Sequence, residues 1–263
     1  MGLPPSRPPG PVEDELAHRA DVDRERFLVD EERFVVPDQP TVGGALRAAA
    51  LDLVSNLWPL LSANILWALA CIGVALAVTA VGPVGLALAA LLGLPLAGVF
   101  RVAARIQRDH GPTLPDSLAA WRAYALPALA LQVALVAAAV AFLANLTVAA
   151  AGGDIAAAVF ATAAFWLLVA ATTYALVAWP IVVDPLRADE PVVDRLRLAA
   201  IVLLGRPGRL LALAVILFLL VLAATLIVVM LTIGVAYVAL AACRYVLPLA
   251  DRLEQRATRR IAA

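Results

Sequence analysis

Lysine is absent from this 263-residue chain, and cysteine, histidine and methionine each occur only twice. Cys71 and Cys243 lie in separate apolar runs, and no Cys-x-x-Cys motif is present. This pattern argues against both a disulfide framework and a structural zinc site. With 20 basic and 20 acidic residues the formal net charge is zero, so nothing in the composition favours a nucleic acid as a partner.

Sequence motifs that carry catalytic chemistry are also missing. There is no HExxH, GxSxG, Walker-type loop or GxGxxG. His110 follows Asp109 and precedes Gly111-Pro112, which is typical of a solvated turn, and His18 lies in a polar N-terminal segment. We therefore expect no catalytic residues, no cofactor and no metal site.

Charged residues make up only 15% of the chain and are gathered into a few blocks. The apolar runs between them match the roughly 20 residues that a helix needs to cross about 30 Å of hydrocarbon. The sequence therefore predicts an all-α fold: a polytopic transmembrane bundle of six helices with short outer turns and two cytoplasmic amphipathic loop helices. The loop helices are predicted to begin near Leu114 and Val193. The predicted spans are about 57–81, 84–106, 124–151, 155–183, 210–229 and 233–250.

The last apolar block, Leu210 to Ala250, is too long for one crossing. As a single helix it would measure about 60 Å, twice the hydrocarbon thickness. We predict a hairpin with its turn between Val229 and Gly234, although Thr232 and Gly234 are the only turn signals there. Five spans instead of six is the alternative.

The two ends of the chain are polar. Residues 1–44 are rich in proline and acidic residues and are predicted to form a disordered cytoplasmic tail without a signal peptide. Residues 41–56 nevertheless show apolar positions at helical spacing, which favours an interfacial helix before the first span. Residues 251–263 are predicted to be a short basic cytoplasmic tail.

The distribution of arginine favours six spans. Arginines number six before the first span, four between the second and third, five between the fourth and fifth, and five from Arg244 onward. Six crossings put all four groups on one side, which the positive-inside rule assigns to the cytoplasm, with both termini there. On this interpretation Arg101, Arg105, Arg108 and Arg122 are topology charges on an inner loop, and the protein resides in the plasma membrane.

A few polar residues interrupt the predicted spans. An amide or a charge in lipid is costly unless it finds a partner, so such residues are functional candidates. The alternatives are hydrogen bonding between helices and, for the arginine, snorkelling to the interface. The candidates are Asn64, Gln132, Asn145 and Arg244.

Small residues repeat every four positions on the second span, at Gly85, Ala89, Gly93 and Ala97. Such a stripe favours close approach of one neighbouring helix. Pro95 lies within the same span, where we expect it to kink the helix.

Two stretches resemble the YesL-type family of bacterial membrane proteins, also called DUF624. Asn64-Ile65-Leu66-Trp67 is similar to an Asn-x-x-Trp in the family's first span, and residues 94–121 look like its second span and following loop. Arg206-Pro207-Gly208-Arg209 also resembles the family pattern before the last hairpin. The resemblance implies a six-helix membrane protein without established catalytic residues that accompanies carbohydrate-uptake systems. It carries over no functional residue.

Two functions follow as hypotheses. The first is a non-enzymatic accessory or regulatory membrane protein associated with a carbohydrate transport system, with the bilayer and transporter subunits as partners. The alternative is a small-solute transporter or channel, which requires Asn64, Gln132 and Arg244 to line one shared cavity.

Overall fold

The computed structural model describes residues 41–152, 154–225 and 228–262. Within these ranges all regular secondary structure is helical, so the predicted all-α class is confirmed for them. Residues 1–40 of the predicted tail lie outside the described residues. The helices are α1 (Val42–Ser55), α2 (Leu57–Val81), α3 (Gly93–Gln107), α4 (Leu114–Ala123), α5 (Ala125–Ala150), α6 (Ile155–Val182), α7 (Val192–Gly205), α8 (Pro207–Thr225) and α9 (Val228–Ala262), with 3₁₀ segments at Gly82–Leu92 and Pro185–Arg187.

Five helical stretches in the described residues are long and apolar enough to cross a membrane: Leu57–Val81, Val84–Gln107, Ala125–Ala150, Ile155–Val182 and Ile233–Arg259. A sixth is reached if α7 and α8, which meet at 98°, count as one broken span. The bend has a local cause, because Pro207 disfavours the helical conformation at the residue before it. Arg206 accordingly has φ −148° and ψ 55°. Taken alone, α8 has 19 residues and is about 28 Å long, close to the hydrocarbon thickness.

The last helix differs from the prediction at both ends. It begins at Val228, so the segment from Val229 to Gly234 that we predicted as a turn is helical. One glycine costs a helix only about 1 kcal/mol, and in lipid the backbone has no other source of hydrogen bonds. The helix also continues to Ala262, so the predicted tail from 251 onward forms its last turns, as far as the chain is described.

The second span changes helix type along its length. An unusually long 3₁₀ segment, Gly82–Leu92, precedes α3, which begins at Gly93. Pro95 lies in the first turn of α3, so the discontinuity falls before this proline and not at a kink centred on it. The reason is that Pro95 has no N–H to donate to the Leu91 carbonyl. That carbonyl, with that of Ala90, accepts a hydrogen bond from the N–H of Gly93.

The glycines of this span contact three different neighbours, not the single helix that the stripe predicted. A Cβ on Gly85 would lie 2.6 Å from the backbone N of Val78 in α2. A Cβ on Gly93 would lie 2.5 Å from the carbonyl oxygen of Ala128 in α5. Gly98, outside the predicted stripe, approaches α4 in the same way. A 3₁₀ turn holds three residues, so positions four apart do not stay on one face.

Replacing Gly93 by alanine is expected to destabilise the protein by about 1–3 kcal/mol, since the backbone of α5 must move to admit the methyl group. Gly73→Ala in α2 is the matched control. Its added Cβ meets no atom within 4 Å, so we expect no loss and a slight gain. Thermal unfolding of both variants in detergent checks this, and equal melting temperatures would contradict the close packing of the second span against α5.

The most buried helix is α9. In the most apolar stretch of α9, 72% of the residues are buried inside the protein, whereas in the most apolar stretch of α2 only 6% are buried. α9 is therefore the centre of the bundle, and α2 lies at its periphery. The helix predicted before the first span is present as α1, where the hydroxyl of Thr41 accepts a hydrogen bond from the N–H of Gly44. It packs along α9, and the Tyr237 hydroxyl donates to the carbonyl of Leu46 over 3.0 Å.

Candidate functional site at the charged end of the bundle

Five charged side chains meet where α3 and α6 end and where the apolar part of α9 gives way to its polar last turns. They are Arg108, Asp184, Arg187, Asp251 and Glu254, which we call the arginine–carboxylate cluster. Arg108 follows the last residue of α3, Asp184 and Arg187 follow α6, and the other two lie on α9. These contacts place the ends of three candidate spans at one end of the bundle, the charged end.

Local structure presents each group to the others. Asp184 caps the 3₁₀ turn Pro185–Arg187 by accepting a hydrogen bond from the N–H of Leu186, and this turn brings Arg187 back beside Asp184. Asp251 and Glu254 are three residues apart on a helix, which places both carboxylates on the same face.

Arg108 bridges two carboxylates. Its Nη2 lies 2.6 Å from Oδ2 of Asp184, and its Nε lies 3.2 Å from Oδ1. Its Nη1 lies 2.8 Å from Oδ2 of Asp251, and Nη2 also lies 3.0 Å from Oδ1 of that residue. This forked geometry is the strong, directional form of the ion pair. One guanidinium therefore ties the end of α3 to both other segments.

Arg187 closes the cluster. It donates to Asp184, to Oδ1 of Asp251 over 2.6 Å, and to both carboxylate oxygens of Glu254 over 2.7 and 3.0 Å. Asp184 is completely buried, while Arg187 is 3% exposed. Removal of such charges from water is unfavourable, and it is offset only because each finds several partners.

The electrostatics of the cluster favour the ionised forms of its two arginines. Burial by itself lowers the pKa of Arg108, but its hydrogen bonds to Asp251 and Asp184 and the charges of these two groups raise it above the usual arginine value. Burial likewise lowers the pKa of Arg187, whereas the carboxylates of Glu254, Asp184 and Asp251 raise it. The net result is again a pKa above the usual arginine value. Both arginines therefore stay charged at any physiological pH, so they can bridge the carboxylates of the cluster.

A second group of side chains closes the C-terminus of α6. Arg101 donates to the carbonyl of Val183 over 2.7 Å, and Arg195 donates to that of Val182. Cations beside the last carbonyls of a helix complement its dipole. Both guanidinium carbons also lie 5.7 Å from the ring centroid of Tyr124, so this aromatic ring connects α3, α5 and α7.

The connection between α3 and α4 is held by Asp116. Its carboxylate accepts from the backbone N–H and hydroxyl of Thr113 and from Arg105, whose Nη1 lies 2.6 Å away. Burial tends to raise the pKa of Asp116, but these hydrogen bonds and the arginine charge lower it overall. Three of the four arginines predicted as topology charges thus have partners. Arg122, the fourth, is exposed.

The four predicted polar candidates occupy different environments. Arg244 forms a bidentate pair with Asp52 of α1, with Nε–Oδ2 2.6 Å and Nη2–Oδ1 2.8 Å. Asn145 donates to the carbonyl of Ala141 in its own helix. Asn64 is fully buried in α2. Gln132 faces Gly93, and its buried Oε1 has no hydrogen-bond partner among the described residues.

A cavity of about 170 Å³ lies between α5 and α6, but none of the four candidates lines it. Its walls are almost entirely apolar and include Pro127, Leu131, Ala171 and Tyr174. In the part of the chain that the structure describes, no three His, Cys, Asp or Glu side chains are grouped to hold a metal ion. His110 is exposed, with Nδ1 2.6 Å from the carbonyl oxygen of Arg108.

The arginine–carboxylate cluster was not predicted from the sequence, because Arg108 was interpreted as a topology charge on an inner loop and no role was assigned to Asp184 or Asp251. A signal was present. Arg108, Asp184 and Asp251 each lie within two residues of the end of a predicted span, and the predicted topology places all three at the same side. Opposite charges at one membrane depth have reason to pair.

The helical fold, with five or six helices of span length and apolarity, is that of a multi-pass membrane protein. Its charged end is closed by ion pairs between the ends of α3, α6 and α9. No family model, curated protein or solved structure matches this chain.

Proposed function

We propose that this chain is a non-enzymatic accessory or regulatory membrane protein of a transport system. In this proposal it crosses the plasma membrane six times with both termini in the cytoplasm. The distribution of arginines and the meeting of three span ends at the charged end support this topology. The carbohydrate class of the transport system rests on the resemblance to the YesL-type family.

The arginine–carboxylate cluster is the observation that carries the proposal. Its groups are paired across three segments, which makes the charged end a rigid platform. Two further helices, α4 and α7, lie at this end, where Arg105 and Arg195 anchor them. Both expose apolar and charged side chains together, including Leu118, Arg122, Val193 and Arg197. A rigid platform with mixed exposed surface is suited to contact a partner protein.

The positions of the polar candidates give less support to a transporter or channel. That function needs several polar groups to converge on one path. Arg244 instead faces α1, Asn145 bonds to its own helix, and Gln132 faces the second span. We therefore place the accessory function first.

Co-purification in mild detergent tests the proposal. We expect the tagged chain to recover subunits of a membrane transport complex in near-stoichiometric amounts. Leu118→Glu with Arg122→Glu on α4 should weaken this recovery at least about tenfold, because it reverses the charge of the exposed face. The matched control is Ala151→Glu with Ile155→Glu at the exposed opposite end, which should leave recovery unchanged. Recovery of the chain alone would contradict the proposal.

A further inference from the structure

A small basic cleft lies between the end of α7 and the last turns of α9. Its volume is about 120 Å³, and its lining combines three arginines with apolar side chains: Arg206, Arg252, Arg256, Val202, Leu249 and Leu253. Three guanidinium groups on two separate elements therefore border one concave surface. A cleft of this kind, basic at its rim and apolar at its wall, matches an anion that is attached to an apolar body.

Helix geometry separates this cleft from the arginine–carboxylate cluster. Arg252 and Arg256 are four residues apart and share one face of α9, whereas Asp251 and Glu254 share another. The acidic face is occupied by Arg108 and Arg187. Within the described part of the chain, neither Arg252 nor Arg256 forms an ion pair. The positive charges of Arg252 and Arg256 are thus not neutralised by the carboxylates beside them in sequence.

The bend between α7 and α8 places Arg206 at the cleft, opposite the two arginines of α9. Arg206 lies at this 98° bend, and Gly208 and Arg209 follow at the start of α8. The first N–H groups of a helix have no partner within the helix and attract anions. The start of α8 lies next to this cleft in sequence, while the three arginines and the apolar side chains form its lining.

The surroundings of the cleft indicate where its ligand comes from. α7 turns aside from α8 by almost a right angle, and it exposes Val193, Ile201 and Leu204 by 74%, 47% and 78%. Such apolar exposure at the end of span-length helices is typical of the membrane interface. A soluble anion would gain nothing from these side chains, while the acyl chains of a lipid would cover them.

We propose that this cleft binds the phosphate-bearing headgroup of an anionic phospholipid. Guanidinium groups fit phosphate oxygens in a bidentate manner, which an ammonium group cannot do. The lipid would lie with its phosphate between α7 and α9 and its acyl chains against the exposed face of α7. The inference does not depend on the proposed accessory function.

Native mass spectrometry of the full-length protein in an uncharged detergent tests this site. Phosphatidylglycerol is titrated against phosphatidylcholine, and we expect tighter binding of the anionic lipid. Arg252→Gln with Arg256→Gln should weaken phosphatidylglycerol binding about thirtyfold, because each arginine near a lipid surface contributes about fivefold. Elution of the variant as a single symmetric peak on gel filtration shows that it is folded.

The control removes the same charge elsewhere. Arg47→Gln with Arg122→Gln changes two exposed arginines outside the cleft and should leave binding within about twofold. An equal loss in both double variants would overturn the site in favour of a general charge effect. No preference for phosphatidylglycerol, or binding of inorganic phosphate without any lipid preference, would overturn the lipid assignment.

Discussion

Asp184→Asn is expected to destabilise the protein by about 3–5 kcal/mol, the usual cost of removing one partner from a buried ion pair. The Asp184 side chain is fully buried and accepts hydrogen bonds from Arg108, Arg187 and the N–H of Leu186. An amide keeps the shape but removes the negative charge, so that one buried and one partly buried guanidinium group share the remaining carboxylates. We expect the ends of α3, α6 and α9 to separate at lower temperature.

The thiol of Cys243 can be used to measure this loss of stability. Cys243 is completely buried in α9, so a thiol-reactive dye labels it only when the bundle opens. Cys71→Ser removes the second thiol from all proteins compared. The dye should react with Asp184→Asn at a clearly lower temperature than with the parent, while Asp189→Asn, an exposed aspartate five residues on, should behave like the parent. If the two variants melt together, the cluster does not hold the bundle closed.

A double variant measures the interaction between Asp184 and Arg187 separately from the contribution of each residue alone. Asp184→Asn combined with Arg187→Gln removes both partners of one contact and one charge of each sign, so the summed charge of the cluster stays as in the parent, whereas each single variant changes it by one. We expect its loss of stability to be smaller than the sum of the two single losses, which is the signature of direct coupling. Additive losses would show that the two residues act independently.

Asp52→Asn is expected to cost about 2 kcal/mol, because it leaves Arg244 unpaired within an apolar stretch. Placing an arginine in the centre of a membrane helix costs roughly 2.5–3.5 kcal/mol. The partial exposure of Arg244, 28% for its side chain, reduces this value. The bidentate pair therefore fastens α1 along α9, and its loss should release α1 before the rest of the bundle unfolds.

Limited proteolysis and thermal unfolding in detergent check this expectation. Cleavage between α1 and α2 should be faster in Asp52→Asn and unchanged in Arg47→Gln, which alters an exposed arginine of the same helix. Asp52→Leu combined with Arg244→Met should recover most of the stability, since replacing both partners of an ion pair by apolar residues is often neutral. A double variant less stable than Asp52→Asn would count against this account.

The helical class and several helix ends could be predicted from the sequence. Leu57–Val81 and Ile155–Val182 coincide closely with the apolar runs that predicted them, because a backbone in hydrocarbon must satisfy its own hydrogen bonds. The end of α7 before Pro207 could also be predicted, because a proline disfavours the helical conformation of the residue before it. Each of these features depends on residues a few positions apart. Where such local signals were weak, as between Val229 and Gly234, the prediction of a turn was wrong.

Only the tertiary structure decided which charges meet. Arg108 is separated from Asp184 by 76 residues and from Asp251 by 143. The sequence indicates that these charges lie at the same side of the bundle, but not which of them pair. The same holds for Arg244, whose partner Asp52 lies 192 residues away. Hydropathy acts on each segment separately and therefore determines which segments can enter a membrane. Ion pairs and close glycine contacts depend on which helix faces arrive side by side, and packing alone sets that.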